Sequence, residues 1–542
     1  MNYLTELIPD NLFPSLPLIG LYAESHFRFR IPFSRYFKRE PELIFDVPWR
    51  LQPGETPTLF LVIKDAHRFP VLLKRVEVSV QHGGETIFDQ AWDLDQEVHD
   101  RQLEIEFHLK TTDTLAGEMD IIPRLSYSVN GKDRCMEIDN YALLPKPPLR
   151  ITFSKEPMPL LPGWQSGDTH LHSSLTNDQV EFGASLGVIR KAAQLMGLNF
   201  ITATDHSYDL DDDPEDYTKN DPELCKWKSS RELIKEMNRT HPLTIIPGEE
   251  ISVSNARGSN VHFLHYNDSK YFPGSGDGGE EWTKLHSQLG IEDVLENRSQ
   301  NTVSVGAHSV YRFPWLTRLL LNRGHWEAAD HERTGLDGVQ IICGTPASGS
   351  FQDSRQAWID TLLKGFKLGV YGGSDGHGNF NRNWHVKLPA LTLGLSEDQI
   401  FGQSRTLIKS ATTGVNDLIQ AMKTRRTALT TGPVGDLMIE FGDQHAEIGD
   451  TLGVSKGAEL QITMLGLSSD EFGAEMDVTL YCGRLSRLEE SILYHGSDHR
   501  GQFELQLSHT AEDSGYVRLE ISSEGSRWPG VFVSSPIWID IA

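Results

Sequence analysis

Cysteine, basic charge and long apolar runs are all scarce in this 542-residue chain, and each scarcity closes off a class of function. The four cysteines, Cys135, Cys225, Cys343 and Cys482, lie far apart and form no Cys-x-x-Cys pair, which speaks against a disulfide framework and a zinc ribbon. They fit reduced thiols in a cytoplasmic protein. Lysine and arginine number 50 against 76 aspartates and glutamates, a formal net charge of -26. A surface that acidic repels phosphate backbones, so no nucleic-acid polymer is expected as a partner. No membrane span is expected, and the opening residues, interrupted by Asp10, Glu24 and several arginines, lack the profile of a signal peptide. Fixed-period repeats, low-complexity segments and a Gly-x-x-x-x-Gly-Lys-Ser/Thr phosphate loop are missing as well. Some of the excess acid is balanced if the chain binds cations.

What is present divides into three parts, as the length leads one to expect. Residues 1–150 suggest an N-terminal β-sandwich-like domain, with β-rich runs such as Leu59–Ile63, Val76–Val80 and the alternating Leu103–Phe107. The proline-rich Leu143–Leu149 reads as a stiff linker. In residues 151–432, short apolar strands alternate with helical segments, the pattern of a parallel sheet or barrel. The strands are placed at Ser166–His172, Phe200–His206, Leu243–Ser252, Asn260–Tyr266, Thr302–Ser309, Gly338–Gly344 and Leu368–His377, enough to close a barrel. Helices are expected at Gly187–Met196, ended by Gly197, and at Arg355–Lys364. Residues 433–542 alternate again in runs such as Leu437–Phe441 and Tyr516–Ile521, a C-terminal β-sandwich domain.

The chemistry is concentrated where the middle strands end. His170 and His172, one residue apart on an extended strand, project to one face and can reach a single metal. Asp178 follows in the next loop, and later strands carry Asp205-His206, Glu249-Glu250, His262 with His265 nearby, His308, and Asp375 with His377. A histidine held by core hydrogen bonds explains one such residue, whereas a recurrence at strand after strand is the pattern of a metal site.

The order His-x-His, Asp, Thr-Asp-His, Pro-Gly-x-Glu-Ile-Ser, Ala-His and Gly-Ser-Asp-x-His resembles the polymerase and histidinol phosphatase (PHP) superfamily, over roughly residues 164–430. Gly163-Trp164-Gln-Ser-Gly167-Asp168 and Arg426-Thr-Ala-Leu-Thr-Thr-Gly432-Pro433 further resemble its CehA/McbA branch. The resemblance implies an α/β fold, a distorted seven-stranded β/α barrel, here flanked by the two β-sandwich domains. It also implies two or three divalent metal ions. His170, His172, Glu250 and Asp375 would hold the first, with Glu250 bridging to a second on His262 and His308. Asp178, His206 and His377 would hold a third. Imidazole mixed with carboxylate suits manganese, iron or zinc and not calcium. Asp168 and Asp205 are expected to orient imidazoles, and Glu249 to point away from Glu250.

Such a site supports hydrolysis without a nucleophilic serine or cysteine, through a metal-activated hydroxide. The expected catalytic group is Glu250, Asp375, His206 and His377, either histidine serving as acid to the leaving group if the third metal is absent. Arg257, Arg312, Arg355, Arg382, Trp384 and His385 are candidates for substrate contact, an arginine being able to clamp a phosphate through two hydrogen bonds. His325 and His331 are expected at the surface. The expected function is a phosphoesterase acting on a small molecule. The alternatives are a carbamate or carboxylic ester hydrolase using the same site, and a binding module around a retired barrel.

Overall fold

The computed structural model describes residues 39–541 apart from 111–114, 142–144, 177–182, 214–218, 278–283, 312–317, 319–320 and 388–391, with backbone alone for 384–387 and 392–396. Each of the seven expected middle segments contains a strand, yet the strands do not close a β/α barrel. Strand outweighs helix, 46% against 16%, and the sheet is a curled half-barrel. Trp164–Asp168, Phe200–Ala203 and Thr244–Ser254 run parallel, as do Val303–Gly306, Gly338–Cys343 and Gly369–Gly373. Between these two parallel sets stands Asn260–Tyr266, antiparallel to both its neighbours. The physical reason is the connection before it. Only Asn255–Ser259 joins it to Thr244–Ser254, with Asn255 Oδ1 accepting from the amides of Arg257 and Ser259 and Gly258 at φ 77°, a turn too short for a helical crossover.

Nor does the far end of the curl close onto the beginning. Trp164–Asp168 pairs instead with Arg405–Lys409, and the ladder runs on through Thr427–Thr430 into the C-terminal strand Pro529–Ser534. The loops after Trp164–Asp168 and Gly369–Gly373 meet at one β-bridge, Leu171 to Gly376, where the His172 amide donates to Gly376 O at 2.9 Å and the Asp375 amide to His170 O at 2.8 Å. That bridge brings the two richest ligand loops together.

The curl is filled by Phe200, Ile246, Leu264, Tyr266, Val305 and Tyr371, all wholly buried. Strands buried on both faces read as unbroken apolar runs, which is why they stood out in the sequence. The helix Leu186–Met196 begins at Ser185, whose hydroxyl accepts from the Val188 amide, and ends at Gly197 with φ 92°. Its apolar face joins Leu43, Trp49, Phe380 and Phe472 in one continuous core. Gly349–Leu363, capped by Ser348, starts six residues before the expected Arg355. The N-terminal strands form two sheets, one of Glu42–Asp46, Thr58–Lys64 and Gln102–His108, the other centred on Val71–His82 and Gly117–Val129. A four-stranded sheet holding Val434–Phe441 and Ala458–Leu467 packs on the C-terminal part of the long sheet. Among the described residues no helix is long and apolar enough to cross a membrane.

Candidate metal centre

The ligand loops leave the strands at one end of the curl. His170 and His172 lie just beyond Trp164–Asp168 rather than on the strand itself, and their Nε2 atoms still come within 3.3 Å of each other. His206 follows Phe200–Ala203, His308 follows Val303–Gly306, and Asp375 and His377 follow Gly369–Gly373, whereas Glu250 and His262 sit within strands. His308 at φ 27° and Asp375 at φ 55° occupy the left-handed region, a strain of about 1–3 kcal/mol each that is found preferentially where geometry serves function.

Glu250 stands at the centre, 1% exposed. Its Oε1 lies 3.2 Å from His170 Nε2, 2.9 Å from His262 Nδ1 and 3.2 Å from His308 Nε2. Its Oε2 lies 3.3 Å from His172 Nε2 and 3.1 Å from His206 Nδ1. Asp375 Oδ1 is 3.2 Å from both His170 Nε2 and His172 Nε2. The His377 ring stacks on His172, centroids 4.1 Å apart. Three groups thus bring ligand atoms close enough to share a cation: His170, His172, Glu250 and Asp375; His206, Glu250 and His262; His172, His206 and His377. His308 reaches the same Glu250 oxygen as His262.

Metal fits these residues on two counts. Donor atoms bound at about 2.0–2.2 Å to one cation sit roughly 3.0–3.5 Å from one another, the spacing found here. The protons also point the right way. Asp205 is an acceptor, so the Thr176 hydroxyl donates to it at 3.0 Å, and the same hydroxyl oxygen, 3.3 Å from His172 Nδ1, then accepts from that nitrogen. His377 Nδ1 likewise donates to Asp375 O at 3.1 Å. Both rings therefore carry their lone pair on Nε2. Lone pairs and carboxylate oxygens converging at such distances repel unless a positive charge lies among them. His206 Nδ1 and Glu250 Oε2, buried and 3.1 Å apart, still lack a hydrogen bond of good geometry.

The electrostatics follow from burial and this crowding. Burial lowers His206 to about 4. Although burial opposes charge on His262, Glu250 and Asp277 raise it to about 9. Burial works against ionised Glu250, but the surrounding His262, His170 and His206 hold it well below the usual carboxylate range.

Other expected roles change. Asp168 holds backbone rather than a ring, accepting from His170 N, Ser374 N and Gly402 N at 3.0–3.1 Å and from Ser374 Oγ at 2.6 Å. It ties the His170 loop to the Asp375 loop. Asp205 acts on His172 through Thr176, and its carboxylate also accepts from Ser173 N at 2.7 Å. Glu249 turns away to Trp227 Nε1 and Arg231, each at 2.5 Å. His265 bonds Asp268 at 2.8 Å.

The substrate arginines are largely elsewhere. Arg257 is 74% exposed and pairs with Glu327, Arg355 pairs with Glu520, and Arg382 donates to Pro147 O and Pro148 O, fastening the proline-rich segment. Asp178 and Arg312 lie outside the described residues, as do the side chains of Trp384 and His385. His331 is buried, not at the surface, its ring stacked near Trp326 and its pKa pushed down to about 4 by burial. Sequence reasoning missed Gln340, Thr176, and the pair Asp277 and Arg323. Asp277 Oδ2 lies 3.1 Å from His262 Nε2, 2.7 Å from Ser252 Oγ and 2.9 Å from Arg323. Neutral residues such as Gln340 carry no ligand pattern, and nothing in the sequence marked them. Three Gly-x-Ser-x-Gly pentads are not nucleophile elbows, since Ser185 caps a helix and bonds Glu104, Ser374 is wholly buried with its hydroxyl donated to Asp168 at 2.6 Å, and Ser455 is exposed beside a turn.

No family model matches the chain, and no curated protein does. Among solved structures it is similar to a CARDB domain from Pyrococcus furiosus in complex with di-metal ions, at 12% identity over 20% of this chain and 96% of that one, TM-score 0.13. A cycloisomaltooligosaccharide glucanotransferase from Paenibacillus sp. matches at 9% identity over 91% and 71%, TM-score 0.18. The β-glucuronidase of Bacteroides uniformis matches at 10% over 92% and 61%, TM-score 0.21. Likenesses this slight place neither fold nor chemistry. The PHP and CehA/McbA resemblance gains no support from them, and the barrel it implied is replaced by the open curled sheet.

Proposed function

We propose that the chain is a metal-dependent hydrolase of small molecules, with a phosphoester as the substrate class. The observation that supports it is the convergence of five histidines on the two oxygens of one buried glutamate, with Asp375 closing one side. His170, His172, Glu250 and Asp375 would hold one cation and His206, Glu250, His262 and His308 a second, with a third on His172, His206 and His377; the donor set suits manganese, iron or zinc. Such cations supply a water-derived nucleophile at neutral pH and neutralise charge on the oxygens of the reacting group.

The chain's own part is positional. Glu250 fixes the spacing of the histidines, and Asp375 is itself held through Oδ2 by Gln399 Nε2 at 3.1 Å. If the third cation is absent and Nε2 of His377 is protonated instead, His377 rather than His206, which burial depresses to about 4, would be the acid to a leaving group. Arg323, beside Asp277 and His262, is the described arginine nearest the cluster and the candidate partner for an anionic substrate.

The test is a panel of phosphomonoesters, phosphodiesters, aryl esters and carbamates assayed with added Mn²⁺. Turnover of a phosphoester that is abolished by chelation supports the proposal. Turnover confined to aryl esters or carbamates would move the chain to the second substrate class.

A further inference from the structure

We infer that Gln340 is a positioning residue that fixes the His170 ring as a metal ligand and holds the His308 backbone beside it. The inference rests on the metal-dependent function proposed above and names a residue that carries out part of it without touching the cation.

Gln340 is wholly buried in Gly338–Cys343. The pairing of that strand with Gly369–Gly373 slips between Gln340 and Ile342, an irregularity of the kind that re-aims a side chain next to a site. Two backbone groups decide which way the carboxamide lies. The His308 amide, able only to donate, is 3.0 Å from Oε1, and the Gly373 carbonyl, able only to accept, is 3.1 Å from Nε2. Oε1 is therefore the oxygen. It also lies 2.9 Å from His170 Nδ1, and because a carboxamide oxygen has no proton, that nitrogen must be the donor.

The consequence is at the other side of the ring. With its proton on Nδ1, His170 presents the lone pair of Nε2 toward Glu250 Oε1 and Asp375 Oδ1, each 3.2 Å away, and toward His172 Nε2 at 3.3 Å. One oxygen thus sets the ring of a ligand proposed for the first cation and the strained backbone of a ligand proposed for the second, His308 at φ 27°. Gly373 makes room for this, since a Cβ there would meet His170 Cβ at 2.6 Å and Gln340 Nε2 at 3.2 Å.

Cobalt(II) titration of the metal-free full chain, followed by its d–d absorption, tests the inference. Gln340→Met keeps the volume and removes the acceptor; it is expected to bind Co²⁺ about 10–100-fold more weakly, with an altered d–d spectrum. Gln340→Glu retains an acceptor oxygen and is expected to stay within roughly threefold of the unmodified chain and to keep its spectrum. Should Gln340→Met fail to fold, Gln340→Asn, which withdraws the oxygen by one methylene, is expected to show the same loss. Wild-type affinity and spectrum in the Met or Asn variant would overturn the inference, as would a Glu variant as weak as either. Failure of the unmodified chain to take up Co²⁺ is a separate result, and overturns the metal-dependent function together with this role.

Discussion

Asp375 Oδ1 lies 3.2 Å from His172 Nε2, although 203 residues separate the two in the chain. The closure depends on Asp168, whose carboxylate holds the amides of His170 and Ser374, and on the bridge between Leu171 and Gly376. The centre is therefore a product of two loops locked to each other.

Thr176 transmits the carboxylate of Asp205 to His172. Thr176→Val keeps the shape and removes the hydroxyl, freeing the ring to adopt the wrong tautomer. Metal affinity, followed by isothermal titration with Mn²⁺, should fall about 10–100-fold. An unchanged affinity would show that the loop alone orients the ring.

Arg257 is exposed and turned to Glu327. Arg257→Ala should leave kcat/KM within roughly twofold on whichever ester the chain hydrolyses, since exposed ion pairs contribute about 1 kcal/mol or less. Arg323→Ala should raise KM for an anionic substrate by tenfold or so, and leave a neutral ester largely unaffected. Equal effects of the two substitutions would reject Arg323 as the substrate contact.

Asp46 couples stability to pH away from the centre. Its carboxyl is fully buried, and burial raises its pKa to about 7 against the opposing amides of Phe380 and Val47. A carboxyl raised on folding favours the protonated form, so its contribution is complete below the unfolded value near 4 and is lost as pH rises through 7. The loss is on the order of 4 kcal/mol between pH 4 and pH 8. Denaturant unfolding of Asp46→Asn should show a flatter pH dependence than the parent over that interval. Parallel curves would remove Asp46 as the cause.

Arg50 is wholly buried, with Nε and Nη2 at 3.0 and 3.1 Å from the two oxygens of Glu471 and Nη1 donating to Met196 O at 2.6 Å. This joins the N-terminal strands, the helix Leu186–Met196 and the C-terminal part of the chain. Glu471→Ala strands a buried guanidinium and should cost about 3–5 kcal/mol, read from the first transition in thermal unfolding. Replacing both residues, Arg50→Met with Glu471→Leu, should recover much of that loss.

Strands such as Thr244–Ser254 and Gly338–Cys343 were legible because apolar, β-branched runs buried on both faces leave a plain trace, whereas Trp164–Asp168, which has no such run, was marked by the histidines just beyond it, and the ligands were legible because histidine and acid recurred at strand ends. Barrel closure was not legible. Periodicity records that a residue is in a strand, not which neighbour it pairs with, and Asn255–Ser259, with its Asn and Gly, is a tight reversal rather than the substrate loop expected around Arg257. Arg355 and Arg382 misled for a related reason: their partners, Glu520 and the carbonyls of Pro147 and Pro148, are set by tertiary packing. Gln340 is a neutral residue whose partner His170 lies 170 positions away, and no local pattern announces such a pair.

Metal content bears most directly on the central claim. Mass spectrometric analysis of the protein, purified without chelator, should find two or three transition-metal ions per chain, and Glu250→Gln, which weakens the shared carboxylate, should reduce this to fewer than one and lower activity by more than about 100-fold. Trace metal in the parent, with a Glu250→Gln variant as active as the parent, would contradict the account.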